Sequence, residues 1–227
     1  MRILGIDTSS ELSSVALVDG DSVITREVLD GRRHAEVLAV LLREVLDEGL
    51  RPELIACGVG PGPYTGLRVG VTTAQALGLA WSVPVVGICS LDAIAAQVSC
   101  AGDFLVTADA RRKEAYWARY DRNRRRTDGP RVSRIDELDA DLASLLPRFG
   151  ELSGEAGEPI RPRASVIARL AGSYRDAGES MATSDIDLSV HGGDSGATAD
   201  SVRGSRLLAP VPLYIRRPDA VAPGVKS

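Results

Sequence analysis

The chain has 227 residues, of which 44% are apolar and 26% charged, and these proportions are typical of a globular protein with a buried core. A formal charge of −4 argues against a general nucleic-acid-binding surface, and only two histidines argue against a histidine-rich metal site. Three cysteines without a CxxC pair predict buried free thiols in a reducing compartment. Because MRILGID is already strand-like, we expect no leader, no membrane span and a cytoplasmic protein.

The first half of the chain predicts strands that alternate with helices. Predicted strands lie at Ile3–Asp7, Ser14–Val18, Val23–Val28, Leu54–Val59 and Pro84–Ile88. Predicted helices lie at about Arg33–Glu48, at Leu67–Trp81 and from Ser90, as the N-cap, to Gln97. An antiparallel start followed by alternating helices and strands indicates an α/β fold with a mixed sheet.

A second start resembles the first. Phe104–Asp109 is again an apolar strand that ends in an acid, and Ala115–Tyr120 returns beside it. We therefore expect a duplicated architecture, with an N-terminal lobe at 1–102 that carries the partner-binding helices and a second lobe at 103–206. Within the second lobe, a Ser-, Gly- and Asp-rich insertion at about 180–206 is expected to be mobile. The segment 207–227 should return to the lobes, with a short strand at Val211–Arg216.

The loop GPGPYTGLRVG, residues 60–70, looks like a phosphate-binding loop but does not match one. A Walker motif requires Gly-Lys-Ser/Thr after the spacer, and the only lysines are Lys113 and Lys226. An anion could still bind at the N-terminus of the following helix. A tight strand-to-helix turn is the favoured interpretation. The possible nucleotide or anion contacts are Asp7, Thr8, Ser9, Thr65 and Arg68.

The helix after this loop carries small residues every four positions, at Gly66, Gly70, Ala74 and Gly78. Glycine inside a helix is unfavourable, so the stripe indicates close approach of another backbone, which could belong to this chain's own sheet or to a partner. The earlier helix has an apolar surface about twice as wide as a surface helix needs. We therefore predict a partner interface formed by Arg33, His34, Val37, Leu38, Val40, Leu41, Val45, Gly66, Leu67, Gly70, Val71, Ala74 and Gly78.

Other polar residues leave two interpretations open. Asp7, Asp92 and Asp109 are the acids expected nearest a cleft, where they could hold magnesium, orient a water or cap turns. The two histidines do not support a Ser–His–Asp triad, and no catalytic or metal-binding residue is assigned. The basic turn Arg122–Arg126 is either a solvated hairpin tip or a small RNA-phosphate patch.

Several motifs together resemble the TsaB (YeaZ) family. They are ILGIDTSSELSSVAL, RRHAEVL, GVGPGPYTGLRVGVTTAQALGLA, PVVGICSLDAIA, DARRKEAYWARY and PLYIRRPDA. The resemblance implies the actin/Hsp70-like (ASKHA) fold of two duplicated lobes. It also implies a non-catalytic subunit that binds TsaD and, with TsaE, supports threonylcarbamoyl transfer to the adenosine beside the tRNA anticodon. The family's dimer contact uses its first two helices, which here are the two singled out above.

The resemblance also implies what the chain lacks. Ser90 and Ile94 stand where TsaD has two histidines that bind its metal, and the turn Asp109-Ala110-Arg111 lacks the glycine of ATP-binding relatives. We expect no cofactor of the chain's own, ATP or ADP only at the interface of the complex, indirect contact with tRNA, and a homodimer when TsaD is absent. The alternative is a stand-alone enzyme of the same fold, either an ATP-dependent kinase or a hydrolase similar to M22 glycoproteases.

Overall fold

The computed structural model describes residues 1–46, 50–140, 146–153, 158–179 and 206–215. The strands are β1 Arg2–Asp7, β2 Leu12–Asp19, β3 Ser22–Leu29, β4 Leu54–Gly60, β5 Val85–Cys89, β6 Phe104–Asp109, β7 Glu114–Tyr120, β8 Arg126–Arg134 and β9 Arg148–Gly150. The helices are α1 His34–Val45, α2 Tyr64–Trp81, α3 Ser90–Ala95, α4 Ile135–Leu138 and α5 Ala164–Asp176.

The first sheet has the strand order β3-β2-β1-β4-β5. The three N-terminal strands form an antiparallel meander, whereas β4 lies parallel to β1 and β5 parallel to β4. β4 is buried along its whole length, which explains why LIACGVG reads as a continuous apolar run rather than an alternating one. The predicted mixed sheet is confirmed.

The second sheet repeats this arrangement with the order β8-β7-β6-β9. Again three strands form an antiparallel meander, and β9 lies parallel to the first of them, β6. β1 and β6 therefore occupy equivalent places, and each ends at an aspartate, Asp7 and Asp109. The predicted duplication into two lobes is present in the topology.

Helices cover both faces of the first sheet. Alternate strand residues point to opposite faces, so Leu4 and Ile6 pack with α1 and α2, whereas Ile3 packs with α5. α5 falls within the range predicted for the second lobe, yet it packs on β1, β2 and β4 of the first sheet. This return crossing was not predicted. The lobe boundaries themselves stay a prediction.

Some predicted boundaries differ from the structure. α2 begins at Tyr64, directly after Pro63, whose ring fixes φ at −58°. α3 is shorter than expected and ends at Ala95. Ser90 is not the N-cap of α3: Cys89 holds that position, and the Ser90 hydroxyl accepts the Gly60 N–H at 3.1 Å.

The C-terminal segment forms no strand over its described residues, 206–215. Instead, Leu208 makes an isolated bridge to Gly87, and the Leu213 N–H donates to the Val59 carbonyl at 2.7 Å. Most of the predicted insertion (180–205) and the last residues (216–227) lie outside the described residues. None of the described helices is both long and apolar enough to span a bilayer.

Candidate functional site

The inner faces of α1 and α2 are enclosed by this chain. α1 packs on β2 and β3, and α2 packs mainly on β4. Their buried residues are His34, Leu38, Leu41 and Val45 on α1, and Gly66, Leu67, Gly70, Val71, Ala74 and Gly78 on α2. These ten residues were all predicted to contact a partner. In the folded chain they are buried among neighbours of their own, and their contact with a partner stays a prediction.

The glycine stripe of α2 packs against the turn after β1. A Cβ added at Gly66 would collide with the Thr8 carbonyl, and one at Gly70 would lie 2.5 Å from Thr8 Oγ1. The Thr8 hydroxyl donates to the Gly66 carbonyl at 2.6 Å, which fixes the first turn of α2 to the end of β1. Of the two interpretations of this stripe, the geometry favours packing within this chain, and its contact with a partner stays a prediction. The close approach is real, but the approaching backbone belongs to this chain.

The outer faces of the same two helices form a different surface. A groove of about 410 Å³ runs between them and is lined by Ala35, Leu38, Ala39, Leu42, Arg68, Val69, Thr72 and Thr73. Leu79, two turns beyond Thr72 on the same side of α2, is 85% exposed. We call this groove with Leu79 the outer face.

Of the predicted interface residues, Leu38 lines this groove. Arg33 and Val40 are exposed and Val37 is half-buried, but Val37 and Val40 lie on the side of α1 turned away from the groove. Most of the groove's lining residues were not predicted, because alanine and threonine carry little signal in an apolar pattern. Their spacing was informative, since Ala35, Ala39 and Leu42 recur at the four- and three-residue intervals of one helix face.

The predicted nucleotide contacts differ in their exposure. Asp7, Thr8 and Ser9 are buried, whereas Thr65 and Arg68 are exposed on α2. The Ser9 N–H and hydroxyl both donate to the Asp7 carboxylate at 3.0 Å. Burial raises the pKa of Asp7 to about 7, although these hydrogen bonds lower it in part. Asp7 therefore accepts hydrogen bonds within the buried turn that follows β1, in line with the turn-capping interpretation.

A buried serine–histidine pair was not predicted. Ser13 Oγ lies 2.8 Å from His34 Nδ1, and both side chains are buried where α1 begins beside β2. Burial lowers the pKa of His34, so the neutral imidazole is favoured at neutral pH. The pair joins the N-terminus of α1 to the sheet. The signal available in the sequence was a serine on a buried strand and a histidine at a helix start.

A polar cluster connects the two lobes. Asp92 on α3 accepts the Tyr120 hydroxyl at 2.6 Å and pairs with Arg126 Nε at 3.4 Å. Asp92 and Arg126 are almost fully buried, so neither has the environment predicted for it. Asp92 does not face an open cleft, and Arg126 is not part of a solvated hairpin tip, because it opens β8 and points towards α3. Any RNA contact of this turn would have to come from 122–125.

Asp109 has hydrogen-bond partners different from those of Asp7 and Asp92. Its carboxylate accepts the Arg111 N–H at 2.7 Å, and its own N–H donates to Glu151 at 2.9 Å. Across the lobes, Arg111 pairs with Glu11 at 3.1 Å. Asp7, Asp92 and Asp109 are thus held in three separate sets of partners. Among the residues that the structure describes, no group of three His, Cys, Asp or Glu side chains is placed to hold a metal ion.

Comparisons with known proteins find a family model and several relatives that match this chain. A family model described as TsaD, tRNA N6-adenosine threonylcarbamoyltransferase, matches residues 28–145. An uncharacterised protein of Mycobacterium tuberculosis is 35% identical, with 96% of this chain and 93% of that protein covered. The Escherichia coli tRNA threonylcarbamoyladenosine biosynthesis protein TsaB is also 35% identical, over 68% of this chain and 69% of that protein.

A solved structure shares the fold. YeaZ from Pseudomonas aeruginosa superimposes with a TM-score of 0.65 at 28% sequence identity, and the match covers 78% of this chain and 93% of that one. Its likeness, together with the duplicated sheet topology and the TsaD-type match, supports the two-lobe actin-like fold. By sequence and by structure, the chain belongs to the TsaB (YeaZ) family.

Proposed function

We propose that this chain is a non-catalytic subunit that binds TsaD and, with TsaE, supports threonylcarbamoyl transfer to the adenosine beside the tRNA anticodon. The name of the E. coli relative places that protein in threonylcarbamoyladenosine biosynthesis. The TsaD-type match over residues 28–145 supports kinship between this chain and its proposed partner. In this proposal tRNA is reached only through the complex, and a nucleotide binds at the interface of the complex.

The observation that carries the proposal is the outer face of α1 and α2. Small side chains such as Ala35, Ala39 and Thr72 leave a groove into which the ridges of another helix can pack. Leu79 projects beside it with no cover from the described residues of this chain. An apolar helical surface of this kind favours a protein partner over a small polar substrate. In the absence of TsaD, we expect a second copy of the chain to cover the same surface.

The non-catalytic role is supported by the environment of the residues that stand where TsaD has its metal ligands. Ser90 and Ile94 are both buried, and the Ser90 hydroxyl is used by Gly60 and Asp7. Neither side chain supplies an imidazole. The proposal therefore assigns the chemistry to TsaD and assigns to this chain the task of docking it.

The test is a binding experiment with TsaD from the same organism. Thr72→Glu places a charge in the groove. Ser173→Glu places the same charge at an exposed position of α5, on the other side of the sheet. We expect the wild type and Ser173→Glu to bind equally, and Thr72→Glu to bind at least about tenfold more weakly, because its carboxylate would lose water in the interface. Calorimetry measures the affinities. Equal binding by all three would contradict the proposed surface.

The alternative is a stand-alone enzyme of the same fold, either a kinase or a hydrolase. The buried Ser13–His34 pair is the feature that favours a hydrolase, since serine next to histidine can form a nucleophile and its base. Both residues are enclosed, however, so a substrate would need the N-terminus of α1 to open. Incubating the purified chain alone with ATP and magnesium, or with threonylcarbamoyl-adenylate and tRNA, distinguishes a stand-alone enzyme from the proposed subunit. Turnover without TsaD would favour the enzyme.

A further inference from the structure

One charged side chain lines the groove of the outer face. Of its eight lining residues, seven are aliphatic side chains or threonines, and the eighth is Arg68. Arg68 lies one turn into α2, where its Nη1 donates to the Tyr64 hydroxyl at 2.8 Å. Its guanidinium carbon also lies 5.2 Å from the centroid of the Tyr64 ring. The cation is thus held at the end of the groove by a neighbour on the same helix.

The C-terminal segment supports that neighbour. The ring of Tyr214 stacks on the ring of Tyr64 with centroids 5.0 Å apart and planes 26° apart. Two hydrogen bonds place Tyr214, because the Leu213 N–H donates to the Val59 carbonyl at 2.7 Å and the Pro210 carbonyl accepts from Gln75 on α2 at 2.7 Å. Residues that are distant in sequence therefore build one arrangement, Tyr214–Tyr64–Arg68, at the start of α2.

This arrangement has a consequence for any partner that fills the groove. A packed helix would remove water from the Arg68 guanidinium, and a buried cation without an opposite charge is costly. The Tyr64 hydroxyl is neutral and supplies one acceptor, whereas a guanidinium has five N–H donors. A carboxylate can accept two of them in parallel. The other described residues that line the groove carry no charge and so supply no anion to Arg68.

We propose that the protein partner that occupies the groove places a carboxylate against Arg68, and that Tyr64 and Tyr214 are positioning residues that hold the guanidinium in place. This inference rests on the proposed function, since it concerns the same docking surface. A phosphate could meet the same guanidinium, but nucleic-acid binding relies on several phosphate contacts, and the described lining of this groove includes a single cation. The small and apolar lining favours a helix from a protein.

The experiment measures the affinity of the full chain for TsaD from the same organism at low and high salt. The variants are Arg68→Met, which keeps the side chain's length but not its charge, and Tyr214→Leu, which removes the stacked ring. Arg175→Met, at an exposed position of α5, is the control for the loss of a positive charge elsewhere. We expect Arg68→Met to weaken binding at least about tenfold at low salt, because it leaves the partner's carboxylate unpaired. Tyr214→Leu should weaken binding less, and Arg175→Met should leave it unchanged.

Salt dependence separates an ion pair from simple packing. Wild-type affinity should fall as salt rises, and Arg68→Met should lose part of that dependence, because salt screens charges and not apolar contacts. Equal affinity and equal salt dependence for Arg68→Met and wild type would overturn the proposal and, if Thr72→Glu still blocks binding, leave the proposed function standing. Absence of any wild-type binding would overturn both. Binding of tRNA to the isolated chain that Arg68→Met abolishes would show that the anion is a phosphate, and would also overturn the proposal.

Discussion

The inner and outer faces of the α1–α2 pair are built from similar residue types, but the inner face is packed against this chain and the outer face is open. On the inner face, glycine and alanine bring α2 against the turn after β1, where the Thr8 hydroxyl binds the Gly66 carbonyl. On the outer face, alanine and threonine leave a groove that the described residues of the chain do not fill. Small residues therefore mark close packing only when another group lies opposite them. The sequence alone does not say on which face that group lies.

Charged residues repeat the contrast between enclosed and open surfaces. Arg126 is buried between the lobes and has Asp92 of the same chain as its counter-ion, at 3.4 Å. Arg68 lies at an open groove, where its hydrogen bond and its ring contact both go to Tyr64. Arg126 therefore stabilises the contact between the lobes, whereas Arg68 is available to bind another molecule. Substitutions on the two sides should therefore separate stability from binding.

The largest effect is expected from Gly70→Leu. Even a Cβ at this position would lie 2.5 Å from Thr8 Oγ1, so the leucine would force α2 away from the sheet. Overpacking of this kind commonly costs about 1–3 kcal/mol, and we expect the upper end of that range or more, because the Thr8 hydroxyl in the way is itself hydrogen-bonded to Gly66. Urea denaturation measures the loss, with Thr72→Leu on the exposed side of α2 as the control. A folded, fully stable Gly70→Leu that fails to bind TsaD would restore the stripe as a partner interface.

Removal of the buried cation between the lobes should come next. Arg126→Met leaves the Asp92 carboxylate buried without its ion pair, and breaking such a pair typically costs about 3–5 kcal/mol. Arg125→Met, one residue earlier and exposed, should change the unfolding free energy by less than about 0.5 kcal/mol. Both values come from the same urea titrations. If the two variants lose equal stability, the charge of Arg126 is not what holds the lobes together.

The stability of the protein should depend on pH because Asp7, in the buried turn after β1, titrates in the folded state. Its pKa is raised to about 7, chiefly by burial, so the folded state holds a proton that the unfolded state releases near the ordinary pKa of 3.8. The stabilisation by this proton is complete below that unfolded value and is lost as the pH rises through about 7. Between about pH 5 and pH 8 the loss should approach 3 kcal/mol, as an order of magnitude.

Asp7→Asn isolates this contribution, because asparagine does not titrate. Denaturation of both proteins across the same pH range should show the wild type losing stability relative to the variant as the pH rises. Ser9 and Ser90 donate to Asp7 and partly oppose the rise in pKa, while the nearby Glu151 carboxylate adds to it. Parallel pH curves for the two proteins would mean that Asp7 keeps an ordinary pKa despite its burial.

Most of the fold followed from the sequence, because apolar periodicity and strand-ending turns are local signals. The β1–β3 meander and the second start at Phe104 were readable for that reason. The return of α5 onto the first sheet was not, since nothing within Ala164–Asp176 says which sheet its apolar face covers. The same limit applies to Leu41: its hydrophobicity predicted burial, and only the packing shows that the burying surface is this chain's own sheet.

The smallest effect is expected at Leu79, and it tests the outer face directly. Leu79 is 85% exposed, whereas Leu67 on the same helix is 1% exposed. Leu67→Ala should cost about 2–5 kcal/mol through a cavity, and Leu79→Ala should stay within about 0.5 kcal/mol in dilute protein. If a second copy covers the outer face, the wild type's unfolding midpoint should rise with protein concentration, because association stabilises only the folded state. Leu79→Ala should then flatten that rise without changing the dilute-limit stability. A concentration-independent midpoint for both proteins would leave the outer face uncovered when TsaD is absent, and the surface would then be reserved for a different partner.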